Sequence, residues 1–258
     1  MNEATLVVGG RAVESPTLRP EHSMMARTLV TAALSATLGL CVGCGPREPQ
    51  QSCHWAVVFD ASDSGLGLVA TPQTLQRLFR DWVRQALHGP GSSFVVLVPG
   101  QSRDTARGVC HIAVPATWGP GVSRAQSAFV GRGLEEVGAL RMSGGSAIAE
   151  AIQVAVLGLR ERVGTRRLVV VSDLRQVTPG RWNFERTVPP PAAFLGWLEH
   201  EGLLPDLQGV DLEVVGVHSR RGPEAPEFTG AQEMALRALW EAVFGRMGVT
   251  QVALRTDL

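Results

Sequence analysis

Three oxygen-bearing side chains alternate directly after an apolar run: Asp60, Ser62 and Ser64 follow Trp55-Ala56-Val57-Val58-Phe59. In extended backbone, residues two apart project the same way, so a carboxylate and two hydroxyls converge. That is half of a hard-oxygen shell. It suits Mg²⁺ or another oxygen-seeking ion and is unsuited to Zn²⁺ or Cu²⁺. Few formal charges would surround such an ion, which would stay electrophilic toward a carboxylate from outside. Taken alone, a short Asp/Ser string is more often turn and helix-cap chemistry. Two other segments add to it. Ser143-Gly144-Gly145-Ser146-Ala147-Ile148 is a glycine turn presenting a hydroxyl at a helix start, where Ser146 can cap. Val169-Val170-Val171-Ser172-Asp173 delivers a carboxylate at the end of an apolar strand.

The elements that must hold these residues alternate in type. The apolar runs around 55–59, 94–98, 109–114, 168–171 and 212–217 read as strands, the continuous ones buried on both faces. Leu75, Leu78, Phe79, Trp82, Val83, Ala86 and Leu87 repeat with helical period after Thr71-Pro72, a cap followed by a first-turn proline. Further helices are expected over 123–140, from Ser146 through Leu159, over 192–201 and over 232–247, with a last strand over 249–254. Between Leu174 and Pro191 lies a loop of about 18 residues, long for a compact domain. Alternating strands and helices imply right-handed crossovers: an α/β fold, a doubly wound, mostly parallel central sheet flanked by helices. Ligands on such sheets bind at the carboxyl ends of the strands, where both polar strand endings fall.

The order, spacing and context of these three segments resemble the von Willebrand factor A (vWA) domain with its metal-ion-dependent adhesion site. That family carries DxSxS after the first strand, a GGT-like turn before a helix, and an aspartate after the fourth strand. The resemblance spans roughly Cys53 to Leu258 and matches at Asp60, Ser62, Ser64, Ser146 and Asp173. It implies a Mg²⁺ site (or Mn²⁺ or Ca²⁺) in which Ser62 and Ser64 coordinate directly. Asp60 and Asp173 would act largely through water, and Ser146 directly or through water. One position would stay open for an Asp or Glu carboxylate of a protein ligand, which is recognition without bond chemistry. Two departures stand out: Ser146 occupies the usual threonine position, and Leu174 follows the last aspartate where glycine is frequent. Asp63 is read as pointing away from the metal to cap a backbone amide.

The loop beside Asp173 holds Arg175, Arg181, Trp182, Phe184 and Arg186. Arginine and aromatics are enriched in binding hot spots, so a partner-facing loop is one reading. The other is a cover, with Trp182 and Phe184 packed inward. Cys53 and Cys110 would share an oxidising compartment. The family's sheet order sets the first and third strands on either side of the second, so only strand-preceding loops could bring the two cysteines together. The histidines, scattered at element ends, read as surface or structural.

The amino-terminal segment reads as targeting sequence. Met24-Met25-Ala26-Arg27 precedes an uncharged stretch from Thr28 to Cys44, about 17 residues and short of the roughly 20 that span a bilayer. Val42-Gly43-Cys44 resembles the end of a bacterial lipobox, with Cys44 as the lipidated residue; Cys41 departs from the leucine usual at its position. An uncleaved short anchor and an ordinary signal cut are the alternatives. Residues 1–23 read as a mis-annotated or disordered leader before a start at Met24 or Met25, 24–44 as the signal, 45–53 as a tether, and 54–258 as the vWA-like domain. This places the protein in the cell envelope, lipid-anchored, with the outer membrane favoured because Gly45 follows Cys44.

Composition narrows the rest. Among 258 residues, 24 basic and 24 acidic side chains cancel, so no charge excess points to nucleic acid. All basic residues are arginine, and tyrosine is absent, which excludes Schiff-base or P-loop lysines and tyrosine acids. No Ser/His/Asp order or Gly-x-Ser-x-Gly elbow supports a hydrolase. The rival readings are a metal-free structural envelope protein and, more remotely, a phosphoryl-transfer enzyme using Asp60. The latter pattern wants an acid two residues on, where Ser62 stands, and a lysine.

Overall fold

The computed structural model describes residues 51–60, 72–87, 89, 91–100, 106–114, 128, 131–132, 135, 146–216, 228–249 and 252–255. The helix expected over 123–140 lies largely outside them, as do Cys44, Ser62, Asp63 and Ser64. Strand β1 (Cys53–Phe59) leads to helix α1 (Pro72–Ala86), β2 (Ser93–Val98) and β3 (Arg107–Ala113). Helix α2 (Ile148–Arg160) and β4 (Thr165–Val171) follow. Then come β5 (Val177–Thr178), β6 (Trp182–Asn183), α3 (Pro191–His200), β7 (Val210–Val215), α4 (Gly230–Arg246) and β8 (Ala253–Arg255).

Six strands form one sheet in the order β3-β2-β1-β4-β7-β8. Neighbours from β2 through β8 run parallel, and β3 runs antiparallel to β2 at the edge. That reversal has a simple cause. A parallel crossover needs a dozen or more residues, and the link from Val98 to Arg107 is shorter. The order reverses between β1 and β4, the switch point where doubly wound sheets leave a crevice beyond their carboxyl ends.

Side chains alternate across the sheet and build two cores. On one face Trp55, Val57 and Phe59 pack with Phe94, Val96, Val169 and Val171 under Phe79, Trp82 and Val83 of α1. On the other, Ala56, Val58, Leu168, Val170, Leu212 and Val214 lie under α2, α3 and α4. Burial of β1 and β4 on both faces accounts for their unbroken apolar runs. Helix α4 starts at a capping box: the Thr229 hydroxyl accepts from Gln232 N, and the Gln232 amide oxygen accepts from Thr229 N. Before β4, Gly164 turns at φ +123°, and a Cβ there would lie 2.3 Å from the Ser52 carbonyl oxygen. Only glycine fits this approach, which lets Thr165 N donate to Ser52 O.

The segment expected to be a long loop is partly ordered. Val177 pairs with Asn183 and Thr178 with Trp182 in a small hairpin. Phe184 is fully buried, and Trp182 meets Phe194 edge-on at 5.5 Å and Trp197 at 5.9 Å. The partner-facing reading is therefore corrected for Phe184, and for Arg175, which is buried too. The aromatic rings gain more from the α3 core than from water. Arg181 and Arg186 remain exposed. Among the described residues no helix is long and apolar enough to cross a membrane.

Candidate metal centre

Asp60 leaves β1 at the switch point and is fully buried. Its N–H donates to the Val171 carbonyl at 2.9 Å, which continues the β1–β4 pairing by one residue. Its Oδ2 accepts a hydrogen bond from the Ser172 hydroxyl at 2.7 Å. Ser172 Oγ in turn accepts from Leu174 N at 2.9 Å. One hydroxyl thus ties the end of β1 to the turn that follows β4. Asp173 is the next residue, with its Oδ1 accepting from Arg175 N at 3.0 Å and its Oδ2 3.5 Å from Arg175 Nε. Two buried carboxylates stand at the carboxyl ends of adjacent central strands.

Leu174 settles how the chain turns without the glycine frequent at this position. It adopts φ +63° although its side chain is fully buried. An L-residue in that region costs on the order of 1 kcal/mol. The Ser172 hydroxyl on its N–H and the Trp240 indole N–H on its carbonyl, at 2.8 Å, hold the conformation. The core around the leucine side chain supplies the rest.

Ser146 arrives from the other side. It forms an isolated antiparallel bridge with Val177, donating from N to the Val177 carbonyl and accepting from Val177 N, both at 3.0 Å. Its hydroxyl does not cap α2, contrary to expectation. The N-cap position falls to Ala147 and carries no side-chain cap. Gln176 takes that role from a distance: its Oε1 accepts from Ala149 N at 3.0 Å. Gln176 Nε2 donates to Glu150 Oε2 at 2.7 Å and to Thr178 Oγ1 at 2.6 Å, and the Thr178 hydroxyl donates to Glu150 Oε1 at 3.2 Å. Burial pushes the Glu150 pKa up, partly offset by the hydrogen bonds from Gln176, its own backbone and Thr178. With the helix end satisfied this way, Ser146 Oγ is left buried without a hydrogen-bond partner among the described residues.

A buried hydroxyl with no partner costs free energy unless something else meets it. An oxygen-seeking cation or its water would do so. Carboxylate and hydroxyl oxygens of the kind carried by Asp60, Asp173 and Ser146 are the donors that Mg²⁺ takes. Among the described residues no three His, Cys, Asp or Glu side chains cluster as a metal site would need. The structure brings Asp60 to the end of β4 and fastens Ser146 to the segment after Asp173. Ser62 and Ser64 fall outside the described residues. The supporting roles of Ser172, Gln176 and Thr178 have no local signature in the sequence. Glu150 has one, since it occupies the third helical position typical of a capping acid.

No protein-family model and no curated protein matches the chain. Solved structures do. The PilB minor pilin from Streptococcus sanguinis is 11% identical over 83% of this chain and 59% of its own, with a TM-score of 0.51. An aerotolerance-related membrane protein from Bacteroides fragilis is 14% identical over 80% and 92% of the two chains, with a TM-score of 0.40. A von Willebrand factor type A structure from Catenulispora acidiphila is 12% identical over 79% and 38%, with a TM-score of 0.39. The chain spans about three-fifths of the pilin. At these identities the likeness is one of fold. Sheet order, parallel register and helical layers make the protein an α/β, doubly wound domain of the vWA and Rossmann-like kind.

Proposed function

We propose that this protein is a lipid-anchored envelope component whose domain captures a protein ligand through a divalent cation, Mg²⁺ by preference. Asp60, Ser62, Ser64, Ser146 and Asp173 are the residues we assign to the ion. The observation that carries the reading is the Ser146 hydroxyl, buried without a hydrogen-bond partner among the described residues, on a segment bridged to Val177 four residues after the buried Asp173. When bound, the cation would supply a Lewis-acidic position for a carboxylate of the ligand. The chain's own residues hold and orient it: Asp60 is aimed by Ser172, and Ser146 by its bridge to Val177. The role is binding, with no bond made or broken. Anchoring is assigned to Cys44, on the uncharged stretch before it.

The test is a Mn²⁺ titration of the full chain by calorimetry, together with crosslinking capture from envelope fractions. Asp60→Ala should weaken both by tenfold or more. If Asp60→Ala leaves cation binding and capture intact, the site is wrongly assigned. A metal-free structural role is the second reading. It draws on Arg175, which already places a positive charge beside Asp173.

A further inference from the structure

Arg175 is unusual for an arginine in being buried at the carboxyl end of the sheet, two residues after Asp173. Its side chain is 8% exposed, and its guanidinium lies over the Phe228 ring, with Cζ 3.8 Å from the ring centroid. Nε stands 3.5 Å from Asp173 Oδ2, an ion-pair distance. Neither Nε nor Nη1 makes a hydrogen bond among the described residues. The pair is held by charge and by the aromatic stack, without the bidentate geometry that makes Arg–carboxylate pairs strong. A buried carboxylate needs a counter-charge, and a loosely paired guanidinium is one that a better cation can displace.

We infer that Arg175 is a built-in cation that competes with the divalent ion for Asp173 and so sets how tightly this site is loaded. The inference rests on the cation-site reading and adds its regulation. Two cations drawn to one carboxylate repel each other, the more so where water is scarce. Without a divalent ion, Arg175 neutralises Asp173 and keeps the edge folded. With one, the guanidinium gives up the carboxylate and keeps its stack on Phe228. The arrangement makes cation affinity lower than the oxygen donors alone would give.

The experiment is Mn²⁺ titration of the full chain, followed by electron paramagnetic resonance, for wild type, Arg175→Met and Arg175→Lys. Methionine keeps an apolar stem against Phe228 and removes the charge; lysine keeps the charge. Arg175→Met is expected to bind Mn²⁺ at least tenfold more tightly than wild type, and Arg175→Lys to stay within about threefold of wild type. Circular dichroism checks folding, and Arg175→Gln repeats the comparison if the methionine variant does not fold. Equal or weaker binding by the folded neutral variant overturns the competition while leaving the cation site standing. Absence of Mn²⁺ binding in wild type and every variant overturns the cation site and the competition with it. Binding that emerges only in the neutral variant supports both.

Discussion

His54 illustrates how much one side chain's surroundings decide. Its Nε2 lies 3.0 Å from the Val163 carbonyl oxygen, which can only accept, so Nε2 carries the proton. Nδ1, 2.8 Å from Ser93 Oγ, then accepts from that hydroxyl. Burial lowers the His54 pKa. The Val163 carbonyl opposes this, and Arg162 adds a lowering repulsion. The folded state therefore prefers neutral histidine. Its contribution is fully present above the unfolded value of about 6.5 and is lost as pH falls through that value toward the lower folded one. The urea midpoint should fall between about pH 7.5 and about pH 5.5, and His54→Gln should flatten that slope. An unchanged slope in the variant would show that other groups carry the dependence. A histidine beside a strand start read as structural; its tautomer and the direction of its shift came from Ser93 and Val163, distant in sequence.

At the scale of elements, the amino-terminal end of α2 carries the most consequence. Its Ala149 amide and its Glu150 carboxylate both depend on Gln176, which comes from the turn after β4. Gln176→Ala would remove the acceptor of the Ala149 amide and, at the same time, one of the donors to the buried Glu150 carboxylate. Leaving a buried polar group unsatisfied costs about 1–3 kcal/mol, and more for a charged one, against about 1 kcal/mol for losing an ordinary cap such as Thr229. Chemical denaturation of the two alanine variants should reproduce that order. Glu150→Gln should cost less than Gln176→Ala, because a neutral amide can keep the ring of hydrogen bonds and drops a charge that burial disfavours. Equal losses for Gln176→Ala and Thr229→Ala would mean that Glu150 finds other support. The strands and helices themselves were legible, since continuous apolar runs and 3.6-residue periods are local signals. The β5–β6 hairpin was not. Its two-residue strands carry no period, and its direction is set by Ser146 bridging Val177 and by Phe184 entering the α3 core.

For the whole molecule, the sheet order fixes what the cysteines can do. Cys53 is a free thiol at the start of β1, and its Sγ accepts from the Trp55 indole N–H at 3.1 Å. Cys110 lies on β3, level with Val96 and hence with Val57, and β2 runs between. Two strand spacings and four residues of rise separate the two Cα atoms by about 16 Å. A disulfide needs about 7 Å or less, so the pair does not bridge within one chain. Alkylation after denaturation without reductant should label both thiols of the monomer. A mass two protons lower, with neither labelled, would contradict the strand order.

Order and type of the six sheet strands and of the helices α1 to α4, and the arrival of Asp60 and Asp173 at strand ends, follow from local pattern. Each depends on periods of two or 3.6 residues and on where polarity interrupts an apolar run. The antiparallel β3 was readable in principle from its short connection. What required the tertiary structure is every pairing between distant segments. Ser172 reaches Asp60 across 112 positions, and Gln176 rather than Ser146 caps α2. Leu174 adopts a left-handed turn that only surrounding contacts can impose on it. Trp182 and Phe184 turn inward, and Arg175 lies against Asp173 and Phe228. Burial of apolar area and satisfaction of buried polar groups act on the assembled chain, so local spacing determines where the carboxylates emerge and packing determines what meets them.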